Sequence, residues 1–170
     1  MVEIPYELEQ AFRAHYGLVF RTAYKITGNA ADAEDVLQTV FLRLARRGAN
    51  AGALENQESY LRRAAINAAL DVIRARRTSP ILEVADVPDL PDKTIQSDDG
   101  ELSPALRQAL GRALANLKPR SAEIFTLRFL EGFSNPEIAQ MLDVSQVLVA
   151  VIVHRTRQQL RKALGPYLRR

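Results

Sequence analysis

The sequence predicts an all-α protein: two small helical domains joined by an acidic linker. Three observations carry that prediction. Apolar residues recur at helical spacing in both halves, no segment alternates with period two over a useful length, and a proline-containing acidic stretch separates two basic blocks. The 170 residues suit one ordinary domain or two small ones, and 47% hydrophobic with 25% charged residues is a globular composition.

Residues 5–27 form the first expected helix. Pro5 fits the opening turn, Leu8, Phe12, Tyr16, Val19, Phe20 and Ala23 form a stripe, and Gly28 supplies a left-handed stop. Next, Ala33, Val36, Leu37, Val40, Phe41 and Leu44 recur at i, i+3, i+4, i+7, i+8 and i+11, which is one buried helical face. A small-residue loop over 48–58 leads to a third helix over 58–77, with Leu61, Ala64, Ala65, Ala68 and Val72 inward. Residues 79–103 hold three prolines and seven carboxylates between Glu83 and Glu101, with no apolar period, so they read as an extended, self-repelling linker. Ser103-Pro104 then caps a helix with Leu106, Leu110, Ala113, Leu114 and Leu117 inward, and Lys118-Pro119 restarts the chain into another that ends at Gly132. Asn135-Pro136 caps a short helix through Leu142, Asp143-Val144 turns, and Ser145 caps a long last helix that Gly165-Pro166 should stop. Two helices across a three-residue turn, with small Ala139 at their approach and arginines on the second, describe a helix-turn-helix.

Net charge is +2 over residues 1–78, −6 over 79–103 and +7 over 104–170. Basic surface is concentrated on the third helix and the C-terminal block, which points to a polyanionic partner. With no cysteine, and with His15 and His154 far apart, disulfides, thiolate metal sites and cysteine nucleophiles are excluded and no metal or cofactor is expected. No paired carboxylates converge on one predicted face with a histidine, so no enzyme activity is expected. The longest apolar run, residues 147–153, is too short to span a membrane and the start is acidic rather than basic, so no membrane insertion and a cytoplasmic location are expected.

Two faces carry candidate function. On the second helix, opposite the apolar stripe, Asp35, Gln38 and Leu42 share a sector: either a solvated face with one stray leucine, or a docking face with Leu42 as anchor and two orienting polar groups. On the third, Arg63, Asn67 and Arg74 fall within about 40° of one another, flanked by Arg77. Guanidiniums there can hold phosphates and stack on bases, and an amide can read a base edge; the alternative is a solvated arginine face.

The strings AADAEDVLQTVFLRLAR, ESYLRRAAINAALDVIRARR and ALANLKPRSAEIFTLRFLEGFSNPEIAQMLDVS, in this order, resemble the extracytoplasmic-function (ECF) sigma factors of bacterial RNA polymerase, through nearly the whole chain outside the linker. The resemblance implies region 2 at 1–78, a linker at 79–103 that threads toward the polymerase active-site cleft, and region 4 at 104–170. It implies a polymerase-docking role for Asp35, Gln38, Phe41 and Leu42, on the clamp helices of the beta-prime subunit, with contacts to the beta subunit as well. It assigns capture and melting of the −10 promoter element to the 48–58 loop and to Asn56, Arg62, Arg63, Asn67, Arg74, Arg76 and Arg77. Region 4 would contact the −35 element through Ser145, Gln146, His154, Arg155, Arg157 and Arg161. An anti-sigma regulator is a further implied partner.

The recognition helix departs from the family pattern. Its outward tip carries Val147, Leu148 and Val151, while Val149, Val153, Thr156 and Leu160 face the domain core. Major-groove base edges ask for donors and acceptors, with the thymine methyl as the main apolar feature. The tip is therefore a protein interface (between copies, or between regions 2 and 4 of one copy), a reader of thymine methyls, or a segment altered from a parent. Thr39 and Tyr60 also stand where the family commonly has an acidic residue and Trp. Two functions follow: a promoter-specificity subunit, or a sigma-like interaction protein that associates with itself or a regulator through this helix.

Overall fold

The structure is a computed structural model that describes residues 4–47, 56–78 and 104–168; the expected linker and most of the 48–58 loop lie outside them. Among the described residues the fold is all-α, as expected from sequence. The helices are α1 (Tyr6–Thr27), α2 (Ala30–Arg46), α3 (Gln57–Thr78), α4 (Pro104–Asn116), α5 (Pro119–Phe125, continued by a π-helical turn, Thr126–Leu130), α6 (Asn135–Leu142) and α7 (Gln146–Leu168).

Local chemistry sets most of these boundaries. Gly28 ends α1 in the left-handed region at φ 66°, and Asn29 caps α2 by accepting from the Asp32 backbone N–H at 3.1 Å. An added Cβ at Gly28 would also meet Arg107 Cδ of α4 at 2.8 Å. Gly28→Ala is therefore expected to cost about 1 kcal/mol or more, read as a lower urea midpoint at unchanged slope.

Three expected boundaries are corrected. The cap of α6 is Ser134 rather than Asn135, because Ser134 and Glu137 form a reciprocal capping box that satisfies two end donors. Pro166 does not stop α7, which runs to Leu168: so near the end, its missing N–H removes little of the ladder. The helix after Pro119 is not uniformly α; it widens by one residue into the π turn. Asp143 takes the left-handed conformation expected of the turn, φ 54°, and Ser145 caps α7 by accepting from Leu148 N–H at 3.1 Å.

Two bundles share α3. It packs against α1 and α2 and also against α4 and α5, while α7 packs on α4, α5 and α6. The α2 stripe is buried as expected, with Ala33, Val36, Val40 and Leu44 essentially inaccessible. Alpha-3 is buried over more of its surface than one stripe. Leu61, Ala65 and Ala68 are inside as expected, but so are Ile66, Ala69, Leu70 and Ile73, roughly 120° further round the axis. A helix with neighbours in both bundles needs this second face. On α1 the expected stripe is only half right: Val19 and Ala23 are buried, whereas Phe12 and Tyr16 are exposed and stack on each other at 5.7 Å.

Candidate nucleic-acid interface

On α2 the burial of Val36, Val40 and Leu44 fixes the helix rotation and turns Asp35, Gln38 and Leu42 outward. All three are exposed, Leu42 at 58%. Phe41 is not with them. Its ring lies inside, edge-on to Phe12 at 4.9 Å, because position 41 belongs to the core stripe; it supports the face from beneath. Asp32 in the first turn of α2 pairs with Arg76 near the end of α3, tying the two helices together.

The α3 arginines are brought onto one helix, but they are already engaged. Arg62 Nη1 donates to Glu131 Oε2, and its Nη2 to Glu58 one turn back at 3.1 Å. The same guanidinium lies over the Phe133 ring, 4.9 Å from its centroid. Arg63 Nε donates to Glu123 Oε1 at 2.7 Å. Arg74 is 3.6 Å from Asp71, and Arg76 is held by Asp32. Asn67 is half-buried, Asn56 caps α3 by accepting from Ser59 N–H at 2.9 Å, and the Arg77 side chain lies outside the described residues.

Alpha-7 carries the expected polar set, Gln146, His154, Arg155, Arg157 and Arg161, on exposed positions beyond the Ser145 cap. Ahead of them the apolar tip is bare: Val147 is 74% exposed, Leu148 38% and Val151 40%. Of the alternatives that the sequence left open for this tip, a contact between the two halves of one chain is not the one seen among the described residues. The halves meet instead through α3 against α4 and α5, because carboxylates opposite the α3 arginines make the stronger complement.

Sequence reasoning missed the residues across that seam: Lys25, Arg107, Glu123, Glu131 and Phe133. Lys25 Nζ stands 3.4 Å from the Leu130 carbonyl and 3.8 Å from Glu131 Oε1. One signal was available. Residues 104–170 hold only four carboxylates; Glu137 caps α6 and Asp143 makes the turn, which leaves Glu123 and Glu131 without a local purpose. Among the described residues no group of three or more His, Asp or Glu is placed to hold a metal ion, and no single helix is long and apolar enough to cross a membrane.

Two small helical bundles, one built on an arginine-bearing helix and the other ending in a helix-turn-helix, have the features of a DNA-binding protein of the transcription class. Comparison with known proteins narrows the class. The family model for Sigma-70 region 2 matches residues 11–78, and that for Sigma-70, region 4 matches residues 107–160. The chain is 31% identical to the RNA polymerase sigma-E factor of Streptomyces avermitilis, over 93% of this chain and 85% of that one. It is 30% identical to the ECF RNA polymerase sigma factor SigM of Mycobacterium tuberculosis, over 94% and 78%. Among solved structures, the sigma factor RpoE of Bartonella quintana, crystallised with the anti-sigma factor NepR, shares the fold at 19% identity and TM-score 0.56, over 95% of this chain and 98% of that one. The chain belongs to the ECF group of the sigma-70 family and is a sigma factor for transcription initiation, a subunit that binds RNA polymerase core and promoter DNA.

Proposed function

We propose that residues 1–78 form the module that holds core polymerase and the opened −10 element, that 79–103 run toward the active-site cleft, and that 104–170 stand over the −35 region. The single observation behind the docking half is Leu42, a large apolar side chain 58% exposed between Asp35 and Gln38 on a helix whose other side is locked in the core. Burying such a leucine contributes about 1.5–3 kcal/mol, which suits a hot-spot anchor ringed by polar groups. Arg62, Arg63, Asn67, Arg74, Arg76 and Arg77 are the proposed contacts to the non-template strand, with phosphate contacts for position and Asn67 for base recognition. The chain works in the cytoplasm beside the polymerase, has no catalysis of its own, and is held in check by an anti-sigma regulator, a partner class supported by the complex in which its structural relative was solved.

In this reading the α7 tip contributes little to −35 readout, because Val147, Leu148 and Val151 offer no donor or acceptor to base edges. The experiment is run-off transcription by core polymerase plus the purified chain, with Val147→Lys beside the parent. Output within about twofold of the parent is expected, since an exposed substitution outside a contact changes little. A tenfold loss would make the tip a reader of thymine methyls. The exposed tip also favours a second reading, self-association through α7, which predicts a dimer in sedimentation of the parent and a monomer for Val147→Lys.

A further inference from the structure

We propose that the bare tip of α7 is one half of a symmetric interface: a second copy of this chain packs its own α7 against it, antiparallel, about a twofold axis at the level of Val149. The proposal rests on the second reading above, self-association through α7, and adds the register and the residues that set it. Val147, Val151 and Arg155 follow one another at steps of four, so each is turned only about 40° from the last and they share one outward strip, with Leu148 at its edge. The rotation of the helix is fixed from behind, where Val149 and Thr156 are buried.

Charge decides what covers this strip. Asp143 stands exposed in the turn just ahead of α7, at φ 54°, and Arg155 stands exposed just past the apolar residues. Neither has an ion-pair partner among the described residues. A DNA duplex would bring phosphates toward Asp143 and ask Val147, Leu148 and Val151 for donors they lack, and an anionic lipid surface would meet the same carboxylate. A carboxylate, an apolar patch and a guanidinium in line are complemented by the same three in reverse order, which is this strip on a second copy. Asp143 and Arg155 lie six residues to either side of Val149, about 9 Å each way at helical rise. An antiparallel mate therefore sets Asp143 beside the partner's Arg155, twice, while Val147 meets the partner's Val151. A parallel mate would set like charges together. The apolar patch is small, so the dimer is weak and concentration-dependent. Arg155 is also a proposed −35 contact, and a paired copy cannot lay α7 in a major groove.

Sedimentation velocity of the full chain over roughly 2–200 μM tests this, with circular dichroism to confirm that every variant is folded. The parent should pass from monomer to dimer across that range. Asp143→Arg and Arg155→Asp should each weaken the dimer about tenfold or more, and the two combined in one chain should restore it to within about threefold of the parent. Asp143→Asn, which keeps a residue tolerant of the left-handed turn, should weaken it a few-fold. A parent that stays monomeric throughout, or a dimer that survives Val147→Lys, overturns self-association through α7 and the register with it. A dimer that Val147→Lys dissolves, but that ignores the single charge changes or is not restored by their combination, overturns the register and leaves self-association standing.

Discussion

Leu42→Glu should remove the chain from core polymerase while leaving its fold alone. The leucine is 58% exposed in the middle of α2, and Glu is a good helix former, so thermal stability should hardly move. At a docked interface the same change loses the apolar anchor and leaves a carboxylate to desolvate. Together these cost about 4 kcal/mol, roughly a thousandfold in affinity. Fluorescence titration of labelled chain with core polymerase reads this directly. Asp35→Ala and Gln38→Ala, which trim polar groups beside the anchor, should lose far less. Equal affinity of Leu42→Glu and parent would leave α2 an ordinary solvated face.

The second large effect is expected for Arg63→Ala/Arg74→Ala in the holoenzyme. In the free chain Arg74 has the largely exposed Asp71 at 3.6 Å, a pair whose loss should cost less than about 1 kcal/mol. Removing Arg63 instead leaves the buried Glu123, 2.7 Å away, without its partner and should cost about 3 kcal/mol, so the variant's folded fraction is measured first by circular dichroism. On promoter DNA each guanidinium interaction is worth about 1–3 kcal/mol, so removing both should slow opening by roughly thirtyfold or more. The salt dependence gives a second reading: the slope of log affinity against log salt should flatten by about 0.7 for each single-strand phosphate that is no longer held. Permanganate reactivity of −10 thymines over a salt series measures both. An unchanged slope and unchanged opening would take these arginines out of the DNA path.

Much of this was legible in the sequence where one period governs one face. On α2 the i, i+3, i+4, i+7 spacing predicted the burial of Val36, Val40 and Leu44, and hence the exposure of Leu42 on the other side. Gly28, Asp143 and Ser145 announced their turns and caps through backbone and hydroxyl chemistry that acts within a few residues. What failed was non-local. Ile66, Leu70 and Ile73 fell outside the predicted stripe because one stripe accounts for one neighbour, and α3 has neighbours in both bundles. The π turn left no mark, since Phe125, Leu127, Phe129 and Leu130 satisfy an α or a π register equally well. The Arg62–Glu131 and Arg63–Glu123 pairs join residues 69 and 60 positions apart, a distance at which charge pattern alone names no partner.

The proposed function has one chain bridge two things at once, polymerase through α2 and a separated DNA strand through α3. Photocrosslinking in the assembled open complex tests this most directly, with a benzophenone side chain placed at position 42 in one protein and at position 67 in another. Adducts to the polymerase clamp from 42 and to the non-template −10 strand from 67 are the predicted result. Crosslinks from 42 that never reach polymerase, or from 67 that never reach DNA, would contradict it.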